Sequence, residues 1–553
     1  MKRHLLLWAA VVGLASLAAA APSATAPSAE QAAAQVLVAQ PNEKVILHAL
    51  RGVVLLPDAT PAALAKTPAP GLHLDGVPFL NNGTTRQALG IFLGRPVSIQ
   101  SINRMETVIR IILETQGRPF ARIYAPPQDI TAGVVRVVVQ LAVLQGNVRV
   151  TGNTWFTRDS YTAALHARAG EPLDSFALAS DLAWINRNPF RHVTPEIAPG
   201  TKPGTTSVTL QARETFPLSA SFGFDNTGTA LTSDYRVSVS AQWGNAFGRG
   251  DLFNVGLDGD PNWKYFRSYS AGYTAYLPWK SILSLNAAVA SLSSDLPEPF
   301  AQKGRTWNLG ARYDILLRNP RPGWTQDLVI TADFKYSDNT LLFSSMPITG
   351  NATDIVEAGA DYSLSFMALG GQNSAMVSVE ASPGGLAAHD HDRDFLGSRP
   401  GAKAEYGYGR LTVSHQQLLF DGFSFNLTAT AQISSGALLG TEQLVGTGAS
   451  AVRGYRESSA FGDEGVVVNN ELHLPPLNLV RHQVSADFFA FYDAASLNVR
   501  VQDQNIDLRS VGLGANLVCF RRLSVRLAYG WQLKGLDGAG TTGWGHIATN
   551  LNW

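Results

Sequence analysis

A single cysteine, Cys519, stands in 553 residues, so the chain can form no internal disulfide and that thiol reads as packing within a strand. Charge is sparse as well. Asp, Glu, Lys and Arg make up 16% of the residues, 43 acidic against 43 basic. This balance offers no basic face of the kind that nucleic-acid binding needs, and no nucleic-acid partner is expected. Beyond the first twenty residues no run approaches the roughly 20 apolar residues of a membrane-crossing helix. No phosphate loop, nucleophile motif or acid–base pair appears in the C-terminal part, so neither catalytic residues nor a cofactor are expected. The one segment with metal-ligating residue types, His389 to Asp394 (HDHDRD), lies beside Gly384-Gly385. Its spacing matches no defined site, so it reads as a polar loop, and no metal is expected.

What the chain does carry is ordered in zones. Lys2, Arg3 and His4 precede an apolar run from Leu5 to Ala20 that ends in small residues, the pattern of a cleavable export signal over residues 1–20. A membrane anchor fits less well, because the run is short and gives way to Ala, Pro and Ser. Residues 21–43 are rich in Ala, Pro, Ser and Gln and read as a tether, with a helix compatible with Ala29–Gln40. Residues 57–71 read as a Pro/Ala-rich surface insertion.

From Lys44 to Glu214 helical and strand patterns alternate, twice over. In the first unit Val45–Leu56 reads as a strand. A helix follows, with Ser98 as its N-cap, Ile99, Ile102, Met105, Val108, Ile109 and Ile112 on one face, and Gly117 as its stop. Ala121–Tyr124 and Val134–Leu144 complete the unit as strands. The second unit reads as strand Gly146–Val150, helices near Tyr161–Ala167 and at Asp174–Asn186, and strands near His192–Ile197 and Ser207–Ala212. Each unit is β-α-α-β-β.

After about Leu218 the helical period disappears. In Phe423–Ile433 the residues Phe423, Phe425, Leu427, Ala429, Ala431 and Ile433 share one face, with Ser424, Asn426, Thr428, Thr430 and Gln432 on the other. Leu523–Trp531 and the final His546–Trp553 alternate in the same way. A soluble sandwich alternates too, but the export signal, the single cysteine and the aromatic strand ends favour a transmembrane barrel, apolar outside and polar within. At roughly 21 residues per strand and connection, the last ~335 residues give about 16 antiparallel strands.

Several stretches in this frame resemble one family, the outer-membrane transporters of two-partner secretion (haemolysin and filamentous-haemagglutinin secretion/activation). "LAWINRNPFRHVTPEIAPGTKPGTTSVTLQARE" resembles the end of its second polypeptide-transport-associated (POTRA) domain. "FGFDNTGT" resembles its first barrel strand, and "GNAFGRGD" the next hairpin. "VRGY", with "GDEG" and the later Glu471-Leu472, resembles its long sixth extracellular loop and the strand after it. "FYD" resembles the F-x-D signature of its thirteenth strand, although Ala495 stands where the family often has Gly. The resemblance implies α+β periplasmic POTRA domains at 44–144 and 145–214, followed by an all-β outer-membrane barrel over 215–553. It also implies a pore that binds an unfolded exported partner and secretes it. Five strands read after Arg453 put VRGY between strands 11 and 12.

The residues themselves give the sixth loop a physical reading. A barrel wide enough for a polypeptide needs an occluding element, and a long loop folded inward is one. Strand parity puts Asp493 on the inward face with Asp487, opposite Phe488 and Tyr492. Arg453 can grip that carboxylate with two parallel bonds, which Lys cannot do. Val452, Arg453, Gly454 and Tyr455 are therefore the candidate gating residues, with Phe491 and Asp493 as wall partners. The candidate Ala29–Gln40 helix would be a second plug. Trp553, an aromatic last residue, resembles the signal read by the barrel-assembly machinery. The expected partners are a large β-helical exported protein, that machinery and outer-membrane lipid. Two rival readings stand beside this one: a barrel-assembly factor of the same superfamily, and a passive porin that would leave the N-terminal units unexplained. A hydrolase has no residues to support it.

Overall fold

The computed structural model describes residues 43–553 except 66–69, 75, 295, 297–299, 318, 320, 322, 344–345, 481–482 and 537–539. The expected export signal and tether, with the candidate Ala29–Gln40 helix, lie outside the described residues. The chain divides into two compact units, one running to Thr215 and the other from Phe216 to Trp553.

In the first unit, Ser98 and Ser101 cap the helix Ile99–Thr115 reciprocally, each side chain bonding the other's backbone N–H. Glu43 fixes the same turn, accepting from Ser98 Oγ at 2.5 Å and from the Arg104 guanidinium. Met105, Val108, Ile109, Ile112 and Leu113 are buried against a four-stranded sheet, each such side chain stabilising by roughly 1.5–3 kcal/mol. Ile99, in the exposed first turn, is left out of that face. Four local readings change here. The first strand is only Gly52–Leu56; before it, Leu47 makes a lone bridge to Val97. A helix at Gly83–Gly90, capped by Asn82, was not visible in the pattern. The Pro/Ala-rich insertion carries a short helix, Pro61–Ala65, and ends at Gly71–His73, which pairs parallel with Gly52–Leu56 and so covers that edge of the sheet. Val143–Leu144 belongs to the second unit's sheet rather than the first's.

In the second unit Thr205–Glu214 is the central strand, flanked by Arg149–Thr151 in parallel and by Arg191–Pro199 in antiparallel. Asp174 caps Ser175–Ile185 through Phe176 N and Ala177 N. Glu214 gathers the loop before the short helix Arg158–Thr162, accepting from Thr154 N at 2.8 Å and from the Tyr161 hydroxyl at 2.5 Å. Burial, and then that hydrogen bond, push the Tyr161 phenol far above its usual value.

The second compact unit is a closed antiparallel barrel of sixteen strands. They are β1 (Leu218–Asp225), β2 (Arg236–Ala246), β3 (Asp251–Gly259), β4 (Phe266–Tyr276) and β5 (Ser281–Ser293). There follow β6 (Phe300–Leu316), β7 (Thr325–Phe343), β8 (Met346–Ala368), β9 (Gly371–Pro383), β10 (Glu405–Leu418) and β11 (Ser424–Ser434). The last are β12 (Glu464–His473, resuming at Leu477–Leu479), β13 (Val484–Val499), β14 (Gln504–Cys519), β15 (Leu523–Gln532) and β16 (Gly543–Asn552). Pro475-Pro476 interrupts β12 because proline has no N–H for the ladder, yet both of its pieces pair with β13. An even strand count brings the barrel chain in and out at the same rim.

Alternation sorts the side chains. Leu285, Val289, Leu309, Tyr492, Leu513, Tyr529 and Trp531 face outward, and Gln432, Asp493, Ser510 and His546 are buried inside. Inward aromatics need room, and glycines on the neighbouring strand give it. A Cβ on Gly512 would lie 2.2 Å from Phe491 Cζ, and one on Gly514 would lie 2.1 Å from Phe489 Cζ.

Candidate functional site: a loop seated in the barrel

The connection between β11 and β12, residues 435–463 and here called loop 6, folds into the lumen. It has a core of its own: Leu444, Ala451, Val452, Tyr455 and Ala460 pack on Val467, Ala495, Leu497 and Leu508 of the wall. At its tip the Arg453 guanidinium donates to Asp493 through Nε to Oδ2 at 2.7 Å and through Nη2 to Oδ1 at 2.8 Å, and Arg453 N adds a third bond to Oδ2 at 3.1 Å. Both residues are buried, Asp493 completely. Nη1 donates to Glu471 on β12, which also takes Arg526 Nη2 at 2.7 Å. The His473 ring bridges Glu471 and Asp487, at 3.0 and 2.9 Å. Phe491 lies under the guanidinium, 3.7 Å from ring centroid to Cζ, a desolvated cation–π contact.

The expected residues Val452, Arg453, Gly454, Tyr455, Phe491 and Asp493 are thus brought together. Gly454 has φ +89°, and a Cβ there would meet Gly530 O at 2.8 Å, so the tip lies backbone against backbone on β15. Gln532 Nε2 donates to Gly454 O at 2.8 Å, and Gly454 N donates to His546 Nε2 at 3.3 Å. The Tyr455 hydroxyl reaches Arg509 O at 3.1 Å and also Lys534 O. Trp553 lies elsewhere, at the closing seam, where its N–H donates to Ala220 O and its C=O accepts from Ala220 N.

Sequence reasoning did not assign Glu471, Arg526, Gly530, Gln532 or His546 to Arg453 and its loop. Strand parity could have found Glu471 and His546, both on inward faces. It could not have found two further contacts. Glu442, in the arm of loop 6 that leaves β11, accepts from Lys335 Nζ of β7 at 2.7 Å and from Tyr408 Oη of β10 at 3.0 Å. Lys335 also pairs with Glu357 of β8, to which the Tyr406 hydroxyl donates at 2.9 Å. Near the other end of the loop, Asp463 takes both Nη atoms of Arg399 (2.5 and 2.8 Å), together with Leu438 N and Arg500 N.

Arg399 follows a helix, Asp392–Ser398, within the loop that joins β9 and β10. The HDHDRD segment thus lies in a loop, as expected, with His389, His391, Asp392 and Arg393 exposed, but it is anchored from within. Asp390 is fully buried and accepts from Leu386 N, while Phe395 packs with Ile355, Tyr406, Leu438 and Leu439. A cavity of about 1230 Å³ lies beside this helix, lined by Ser337, Asn339, Thr353, Arg399 and the loop-6 residues Leu439 to Thr441.

A family model described as "Haemolysin secretion/activation protein ShlB/FhaC/HecB" matches residues 204–517. The chain belongs to this family. A second model, "POTRA domain, ShlB-type", matches residues 68–140. An outer membrane transporter CdiB of Dickeya dadantii is 26% identical over 458 residues, covering 80% of this chain and 78% of its own. A heme/hemopexin transporter protein HuxB of Haemophilus influenzae is 23% identical over 461 residues, with 76% of each chain covered. The solved CdiB from Escherichia coli superposes with a TM-score of 0.75 at 18% identity over 95% of both chains, and so shares the fold. The chain is accordingly an outer-membrane transporter of two-partner secretion, with its barrel in the outer membrane and POTRA units in the periplasm. The family match sets aside the reading as a barrel-assembly factor.

Proposed function

We propose that the transporter captures an unfolded, β-helical exported protein of the haemolysin or adhesin kind on a periplasmic sheet edge. The barrel then secretes that protein once loop 6 leaves the lumen. The observation that carries this reading is the seating of loop 6 by a buried, bidentate Arg453–Asp493 pair on the wall of a closed barrel. A permanent pore needs no such contact. Two observations support capture by strand addition. Ala121–Tyr124 and Arg191–Pro199 each pair on one side only among the described residues; on the second strand Asn186 takes the Val193 N–H and C=O and Pro195 and Pro199 have no N–H, so the edge open to an added strand is that of Ala121–Tyr124. Both strands also line one groove of about 490 Å³, with Arg110, Arg122 and Ile197 in its walls. No catalytic step enters this account. The relatives are transporters by name, and outward folding of the cargo supplies direction.

The test is binding. Residues 43–215, which form a compact unit, should bind the N-terminal part of the exported protein encoded beside this gene. A folded fragment, verified by circular dichroism, that fails to bind any co-encoded exported protein would remove the capture step.

A further inference from the structure

The two ends of the loop-6 plug are held by unlike stations. At the tip, Asp493 is completely buried and Arg453 supplies both of its side-chain hydrogen bonds. If Arg453 leaves, that carboxylate loses its cation and both of those bonds together, which is the costly way to break a buried pair. At the far wall the charge count is different. Lys335 already pairs with Glu357, and Tyr406 donates to the same carboxylate. Glu442 is a second carboxylate brought to one ammonium, at 2.7 Å. When it withdraws, the wall keeps a balanced pair and Glu442 regains water, while docking it adds a net negative charge to a neutral station. Free space is distributed in the same sense. The ~1230 Å³ cavity lies along β5 to β8 against Leu439, Gly440, Thr441 and Gln443, whereas the tip side is closed by the apolar core around Val452, Tyr455, Leu497 and Leu508.

We infer that Glu442 is a second positioning residue of the plug and the one that releases first, so that the lumen opens along β5–β8 while Arg453 is still seated on Asp493. This rests on the reading of loop 6 as the plug. The exported chain then passes between the Glu442 arm and the wall that carries Ser337, Asn339 and Thr353. The loop-6 tip does not leave the barrel at this stage.

The test uses the full-length protein in planar bilayers with potassium chloride, in a Cys519→Ser background. Glu442→Gln is isosteric and should raise conductance several-fold. Lys335→Glu should raise it too, and Lys335→Glu combined with Glu442→Lys should bring it back toward the parent value, a rescue that general loosening of the barrel would not give. In the Glu442→Gln protein, a membrane-impermeant methanethiosulfonate should block the added current from Ser337→Cys and leave it intact with Ser510→Cys, which lies buried beside Asp493. Parent-like conductance of Glu442→Gln, while deletion of 450–464 does raise conductance, would overturn the inference and leave the plug standing. Block from Ser510→Cys rather than Ser337→Cys would mean that the tip leaves first. If the deletion itself changes nothing, the plug reading falls, and this inference with it.

Discussion

Arg453 touches three kinds of partner at once: a bidentate carboxylate, a second carboxylate shared with Arg526, and an aromatic face. Two charges ~4 Å apart interact by about 4 kcal/mol at an effective dielectric near 20, and desolvation removes part of this. Breaking one side of a buried pair typically costs about 3–5 kcal/mol, because the other charge is left stranded. Arg453→Ala and Asp493→Ala should therefore each cut secretion strongly, by roughly an order of magnitude or more, and the double variant should be little worse than either single one. Arg453→Lys should also be defective, since a point charge cannot reproduce the fork. Secretion is to be scored only for variants present in the outer membrane at parent levels. Strictly additive losses, or a fully active lysine variant, would separate the two residues. Parity alone placed Asp493 on the inward face, and Arg453 is found against it. Glu442 and Lys335 were beyond that reasoning, because 107 residues separate them and nothing local marks either as the other's partner.

In the proposed reading, loop 6 is the element that decides between an open and an occluded barrel. Five of its core residues come from the loop and four from β12 to β14, so it packs as part of the wall rather than hanging as a tether. Removing Ser450–Glu464 takes out both the Arg453 anchor and four of the loop's five residues in that core. Ion conductance should rise several-fold while secretion falls, because the free lumen no longer responds to cargo. Unchanged conductance would mean that something else closes the pore. The strands around it were readable because a period of two survives any length of strand, from the eight residues of β1 to the 23 of β8. The short elements of the first α/β unit were not. Gly71–His73 is too short to alternate. The helix Gly83–Gly90 places only Thr85, Ala88 and Leu89 inside, so its apolar stripe is one turn long.

Across the whole molecule, everything depends on a barrel that must close on itself. The closing seam is brief: β1 and β16 pair only from Asp225–Ala548 to Ser221–Asn552, whereas β7 and β8 pair along nearly their full lengths. Side chain and terminus extend the seam at its two ends. Asn226 Nδ2 donates to Gly545 O at 2.7 Å, and its Oδ1 accepts from Ile547 N at 2.9 Å. At the opposite end Trp553 and Ala220 exchange backbone bonds of 2.9 and 3.3 Å. Each such bond contributes about 1 kcal/mol net. Deleting Trp553 should lower the amount of heat-modifiable barrel in the outer membrane, through lost closure, a lost assembly signal, or both. Trp553→Ala separates the two causes: it keeps the backbone exchange with Ala220 and removes only the indole, which is largely exposed. If the aromatic ring is the feature read during assembly, Trp553→Ala should be as poor as the deletion and Trp553→Phe close to normal. If closure dominates, Trp553→Ala should insert well and the deletion alone should fail. In either case the barrels that do insert should show parent-like single-pore conductance, because the Arg453 partners Asp493 and Glu471 lie on β13 and β12 and the β16 contact to loop 6 is made by His546, not by Trp553. Parent-like barrel levels after the deletion would show that the seam closes, and the barrel is assembled, without its last residue.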